Sequence, residues 1–278
     1  MILTKTEESR LLDSMAMKEY GIPEMVLMEN AGSSVVRLTE KYVDWDGAFT
    51  VILCGTGNNG GDGFVAARYA AGRGARVLVL LMGNEAHMSE SSKQYRHVID
   101  KMGIPVIPIS KAEEGAPYIH DADILVDALI GTGLSSEVKG EKALLITLMN
   151  EAQGIIISVD VPSGMLTDTG KAAGVVVDAD YTVALGSVKR GHVLYPGSSY
   201  TGTLLYSPIG IPDEARMDFP VHLTEKEDVF NILPVRNRVS HKGKNGFIGI
   251  FAGSYGMEGA ALLAGQGALY AGGGKVAV

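Results

Sequence analysis

Polar and apolar positions recur in a fixed order along the first two thirds of the chain. Apolar runs near 49–54, 76–82, 105–108, 123–128, 155–159 and 181–185 alternate with helically spaced stretches near 63–73, 88–103 and 141–153. Runs that are apolar at nearly every position suit strands buried on both faces, and their alternation with helices predicts a parallel sheet. Two helices precede the first strand, Glu7 to Glu19 and Pro23 to Tyr42, with Pro23 at a first helical position. The first reads as a surface helix. In the second, Leu27, Met28, Val35, Val36 and Leu38 form an apolar face, which leaves Glu29 and Asn30 toward the glycine loop or toward water, with water favoured for Glu29. Thr203 to Tyr206, followed by Ile209-Gly-Ile-Pro212, reads as a hairpin-like closing edge. The pattern then restarts with an apolar strand at Phe247 to Ala252, a helix of small residues to Ala271 and a last strand from Lys275. The expectation is an α/β domain with a mostly parallel sheet over residues 1–222 and an incomplete second α/β segment over 223–278.

The loop after the first apolar run is Gly55-Thr-Gly57-Asn58-Asn59-Gly60-Gly61-Asp62-Gly63. A glycine-rich turn between strand and helix presents bare N–H groups suited to an anion. The spacing matches a dinucleotide fingerprint, yet the next strand ends Leu80-Leu81-Met82, where a ribose-binding acid belongs. No Gly-Lys-Ser/Thr follows, which excludes a Walker loop. The competing reading is a structural turn with Asp62 as a helix cap.

Two further strand ends carry polar loops. Asp127 leads into Ile130-Gly131-Thr132-Gly133-Leu134, and Ile155 to Val159 leads into Asp160-Val-Pro162-Ser163-Gly164. Ligands of doubly wound sheets bind beyond the carboxyl ends of the strands, so Asn59, Asp127, Asp160 and Ser163 are expected to converge there.

These segments, together with Met28-Glu29-Asn30-Ala31-Gly32 and Lys189-Arg-Gly191, resemble the NAD(P)H-hydrate epimerase family, the YjeF N-terminal domain, over residues 1 to about 215. The resemblance implies a Rossmann-like three-layer α/β/α sandwich that interconverts the R and S forms of hydrated NADH and NADPH (NADHX and NADPHX). It also implies a bound potassium ion held by Asn59, Asp127 and Ser163. The implied substrate site is Asn58, Asn59, Gly60, Gly61 and Asp62, then Gly131, Thr132, Gly133, Leu134, Ser135, Ser136 and Glu137, with Asp160. Fold relatives imply a homodimer or higher homo-oligomer. Residues 223–278 resemble the beginning of a ribokinase-like NAD(P)H-hydrate dehydratase domain. The chain is therefore expected to be a shortened form of a bifunctional protein, inactive as a dehydratase, with ADP or ATP needed only by the missing part.

The chemistry fits these residues. Inverting a carbon that bears a hydroxyl and a ring nitrogen can proceed by loss of water to an iminium-like species and readdition on the other face. Asp160, a carboxyl at a strand end in a closed crevice, is the candidate acid and base. A hard cation takes oxygen ligands, which Asn, Asp and Ser supply. Lys189 and His192 read as part of a solvated basic loop, with contact to the dinucleotide phosphates as the alternative.

The 278 residues are 46% hydrophobic and 20% charged, ample for one large core and a remainder. Cys54, the single cysteine, excludes a disulfide framework and suits buried packing. A net charge of −8 argues against broad binding to nucleic acid or anionic membrane. With no run of about 18 apolar residues, the expectation is a cytoplasmic enzyme. The alternatives are a non-catalytic scaffold of the same fold, as in RNA-metabolism proteins, a nicotinamide dehydrogenase, and a nucleotide sensor. Each would leave epimer exchange uncatalysed.

Overall fold

The computed structural model describes residues 1–215, 219–233 and 238–278. They divide into two compact units, Met1–Leu223 and Thr224–Val278.

In chain order the first unit contains β1 (Leu3–Thr4), α1 (Thr6–Lys18), α2 (Glu24–Thr39), β2 (Phe49–Cys54), α3 (Asn58–Gly72), β3 (Arg76–Met82) and α4 (Glu90–Lys101). It continues with β4 (Val106–Ile109), α5 (Ala112–His120), β5 (Ile124–Ala128), α6 (Glu141–Glu151), β6 (Ile155–Val159), β7 (Tyr181–Leu185), β8 (Val188–Lys189), α7 (Arg190–Val193), α8 (Gly197–Tyr200) and β9 (Thr203–Ser207). Seven strands form one sheet in the order β4-β3-β2-β5-β6-β7-β9, every neighbouring pair parallel. The chain runs outward from β2 to β4, then returns to the other side of β2 as β5. The gap between the carboxyl ends of β2 and β5 is therefore the topological switch point, where such sheets bind ligands.

Successive residues of β2 serve opposite layers. Ile52 and Cys54 pack with Phe64, Val65, Val35 and Val36 of α3 and α2, while Val51 and Leu53 pack with Leu145, Ile146 and Ile119 of α6 and α5. All of these are essentially without solvent exposure, so the sheet is hydrophobic on both faces, as a parallel sheet covered by helices must be. α2 lies unusually close to α3. A Cβ at Gly32 would come within 2.4 Å of both the Asp62 carbonyl oxygen and the Val65 Cβ, so only glycine permits the approach.

Three sequence expectations are corrected here. The hairpin-like edge is β9, parallel to β7 from Thr203 opposite Tyr181 to Ser207 opposite Leu185, and reached through α7 and α8 rather than a turn. Glu29 does not face water alone: it pairs with Arg68 and accepts from Tyr69 Oη at 2.8 Å. α1 is not merely a surface helix, because Ser9, Leu12 and Ala16 are buried, the latter two in the same core cluster as Val35, Val36 and Ile52.

The second unit holds α9 (Lys226–Ile232), β10 (Phe247–Gly249), α10 (Glu258–Tyr270) and β11 (Lys275–Ala277), with β10 and β11 paired in parallel. Among the described residues, no helix is long and apolar enough to cross a membrane.

Candidate active site

The loops at the switch point enclose a cavity of about 910 Å³, near the upper end of the range for small-molecule sites, roughly 300–1,000 Å³. Its floor is Thr56 to Asn59 after β2, Leu129 to Lys139 after β5, Asp160 after β6, and Leu185 with Lys189 after β7. Ser9, Arg10, Asp13 and Met17 of α1 and Glu24, Leu27, Met28 and Ala31 of α2 cover it.

The glycine loop is tighter than its sequence suggests. α3 starts at Asn58 with Gly57 as its N-cap and no side-chain cap, so Asp62 lies inside the helix and does not cap it. Gly60 and Gly61 are buried, and both N–H groups bond the Gly57 carbonyl at 3.0 and 3.3 Å. A Cβ on Gly60 would lie 1.9 Å from the Gly55 carbonyl oxygen. These two glycines serve the turn and are not among the residues that line the cavity. Asn58 is exposed, its Nδ2 donating to Glu24 Oε1 at 3.0 Å. Asn59 lies on the wall beside Gly131, and its buried Nδ2 has no hydrogen-bond partner among the described residues. Gly131, Thr132, Gly133, Leu134, Ser135, Ser136 and Glu137 all line the cavity, as does Asp160.

Asp127 and Ser163 lie beneath that floor, with no solvent exposure. The Asp127 carboxylate accepts from Ser163 Oγ at 2.5 Å, Ser163 N at 2.8 Å, Ser158 Oγ at 2.9 Å and Leu129 N at 3.3 Å. Ile130 N in turn donates to Ser163 Oγ at 2.9 Å. This buried knot ties the ends of β5 and β6 together. Burial pushes the Asp127 pKa up, against the pull of those donors.

Asp160 has φ of +65°, a left-handed conformation that costs a residue with a Cβ about 1 kcal/mol or more. Its main-chain N donates to Val183 O at 2.9 Å, and its Oδ1 accepts from Leu185 N at 3.0 Å and Lys189 Nζ at 2.5 Å. Among the described residues Oδ2 has no partner. Lys189 is 1% exposed and also donates to the Leu185 carbonyl at 2.8 Å. The solvated-loop reading of Lys189 and His192 is thus overturned: both are buried, and the lysine is the counterion of Asp160. Burial, reinforced by the Lys189 charge, pushes the His192 pKa down to about 4, leaving a neutral imidazole whose Nδ1 accepts from Lys189 N at 3.2 Å.

Two more carboxyls share this cavity. Burial raises Asp62 well above its ordinary value, and the charges of Asp160 and Asp13 raise it further. Burial likewise raises Asp13 to about 6, against the pull of Lys189. Neither accepts a hydrogen bond among the described residues. Sequence reading missed Asp13. The available signal was its place in the stripe Ser9, Leu12, Asp13, Ala16, the face that α1 buries.

A family model described as YjeF-related protein N-terminus matches residues 24–191. The bifunctional NAD(P)H-hydrate repair enzyme Nnr of Thermofilum pendens is 38% identical over 276 residues, 99% of this chain and 52% of that protein. The NAD(P)H-hydrate epimerase of Limosilactobacillus fermentum is 38% identical over 200 residues, 71% of this chain and 92% of that protein. The chain thus spans about half the length of the bifunctional relative. Yeast ynu0 superposes with a TM-score of 0.68 at 22% identity, covering 82% of this chain and 98% of that one, which shows a shared fold.

Proposed function

Since the chain belongs to the YjeF-related N-terminal family, we propose that its first unit is an epimerase interconverting the R and S forms of NADHX and NADPHX. The observation that carries this reading is Asp160, held at positive φ among the residues lining the cavity, with Oδ1 fixed by Lys189 and Leu185 and Oδ2 without a partner among the described residues.

A carboxylate with one oxygen anchored and one free is placed to exchange a proton with water or a hydroxyl at a bound ring. The substrate carries its hydroxyl on a carbon bonded to the ring nitrogen. When that hydroxyl leaves as water with an added proton, the nitrogen lone pair forms the C=N bond of an iminium. Water then adds to the opposite face and gives up a proton as the nitrogen recovers its pair. The loop from Gly131 to Glu137 lies along the same wall and would hold the remainder of the dinucleotide, with Arg10, Lys139 and Lys142 as cations of the cavity beside Lys189, which is bonded to Asp160.

A potassium ion fits the chemistry of the buried knot. Asp127 and Ser163 offer oxygens there, and the unpartnered buried end of the Asn59 amide would be satisfied by turning its oxygen toward a cation. Asn59, Asp127 and Ser163 would hold the ion, whose charge would offset substrate phosphate and fix the loops. Residues 223–278 are assigned no part in the reaction.

The test is to incubate the protein with R-enriched or S-enriched NADPHX in potassium buffer and follow the epimer ratio by NMR. Exchange well above the spontaneous rate is expected, with solvent oxygen from ¹⁸O-labelled water entering the hydroxyl at each inversion. A folded, potassium-loaded protein that leaves the ratio at its spontaneous rate would refute the proposal.

A further inference from the structure

Loss of water from one face and its return on the other asks for proton carriers on both sides of the ring, and a single carboxylate reaches one of them. Asp160 enters the cavity from the end of β6. Of the other carboxyls on the cavity, Glu24 is bonded to Asn58 and Ser91 and Glu137 to Lys139, while Asp62 on α3 and Asp13 on α1 accept no hydrogen bond among the described residues; α1 lies outside the stretch matched by the family model. We propose that Asp13 is this second proton carrier, donating to the departing hydroxyl when Asp160 takes a proton from the incoming water, with the roles reversed in the opposite direction. The inference rests on the epimerase reading.

The geometry supports it in three ways. Asp13 is partly buried on the cavity wall, on the face of α1 fixed by Leu12 and Ala16. Its Oδ1 lies 3.7 Å from where a Cβ on Gly186 would stand, so it sits against the β7–β8 turn whose far end supplies Lys189. No side chain or main-chain N–H among the described residues donates to it, although Ser9, one turn earlier, is bonded to Ser187 Oγ at 3.3 Å. A partly buried carboxyl with no structural partner is placed to serve a ligand.

The surrounding charges suit the task. Burial holds the proton on Asp13, Lys189 from β8 pulls against it, and the Asp160 charge adds to the hold, leaving Asp13 at about 6. Asp62 from α3 and Glu24 from α2 face the same cavity, with Glu137, Lys139 and Lys142 on the loop after β5 and Arg10 on α1 itself. Asp213 and Glu214, on the turn packed against α1, are exposed. In one turnover a proton passes from Asp13 to the leaving oxygen and another from the adding water to Asp160. The C–O bond broken is replaced by one on the other face, no electron is gained or lost, and the pair of carboxyls holds one proton before and after the turnover and none while the cationic iminium is present.

The experiment is a pH profile of epimer exchange for the wild type, Asp13→Asn and Asp13→Glu, beside a ¹³C-carboxyl NMR titration of the substrate-free protein, with Asp13 assigned by its absence from the Asn variant. The wild type should lose activity above about pH 6, approaching tenfold per unit as the pair sheds its proton. Asp13→Asn should lower kcat about 100-fold or more with KM within threefold, and should abolish that alkaline limb. Asp13→Glu should restore part of both. The resonance should titrate near 6, and lower in Asp160→Asn. An alkaline limb unchanged in Asp13→Asn, or a resonance at the ordinary value for aspartate, would overturn the proposal. A wild type that exchanges no epimers would instead sink the epimerase reading, which the titration does not depend on.

Discussion

Lys189→Met removes the cation that is bonded to Asp160 and whose charge also lowers the pKa values of Asp13 and Asp62. Met has similar length and no charge, so the packing loss is small. Lys189 is 1% exposed and Asp160 13%, with 2.5 Å between Nζ and Oδ1. At an effective dielectric near 20 a pair this close attracts by roughly 7 kcal/mol before desolvation, and removing one partner of a buried pair costs about 3–5 kcal/mol because the other charge is stranded. We therefore expect Lys189→Met to lose about 3–5 kcal/mol at pH 8. The loss also depends on pH. Asp13 and Asp62 already have folded pKa values raised above their unfolded ones, and Lys189 holds both down. Without it they rise further. A raised carboxyl costs stability as pH climbs through its folded value and none below its unfolded value, so the deficit should shrink between pH 8 and pH 5. The assay is urea unfolding followed by fluorescence of Trp45, the single tryptophan, 3% exposed in the core of the first unit. Asp160→Asn and the double variant complete the cycle and should show a coupling of about 2 kcal/mol or more. A loss under about 1 kcal/mol, the same loss at both pH values, or additive single variants would refute the reasoning.

Asp13→Asn should stabilise the protein at pH 8 by up to about 3 kcal/mol, the cost of roughly two units of upward shift from 3.8 to about 6. The gain should fade toward pH 5, as thermal unfolding at the two pH values would register. Asp127→Ala strands the donors from Ser158, Ser163 and Leu129 in full burial and should cost about 3 kcal/mol or more. It should also remove any rise in Tm on exchanging sodium for potassium; a retained rise would show that the ion binds elsewhere. Gly60→Ala drives a Cβ into the Gly55 carbonyl and should yield insoluble or grossly destabilised protein, whereas Gly57→Ala, with nothing within 4 Å, should stay within about 0.5 kcal/mol of the wild type. Equal behaviour of the two in denaturant melts would contradict the packing described for the loop.

The central strands were legible because each, from Phe49–Cys54 to Tyr181–Leu185, is apolar on both faces, a signal that needs no tertiary knowledge. α5 was not, since Gly115 and Pro117 fall inside its nine residues and weaken its local propensity; the close approach of Leu80 and Ile109 to Gly115 is a fact of packing. The edge strand β9 was placed as an edge but misjoined, because α7 and α8 have four residues each, too few to show a helical period. At the site, the polar loops announced themselves by following apolar strands. Lys189 did not: in sequence it neighbours Arg190 and reads as solvated, and only the fold brings it to Asp160, 29 residues earlier. Asp13 was hidden among Glu7, Glu8 and Arg10, where local charge pattern does not reveal which acid the fold will cover. At Gly60 and Gly61 the sequence is ambiguous, because a glycine required by a close turn looks the same as one that admits a ligand.

Epimer exchange by the wild type and Asp160→Asn, measured side by side on S-enriched NADPHX in potassium buffer, tests the central claim most directly. The account predicts fast exchange by the wild type and a loss of about 100-fold or more in kcat for the variant, with substrate binding largely kept. Near-normal exchange by a folded Asp160→Asn would contradict it.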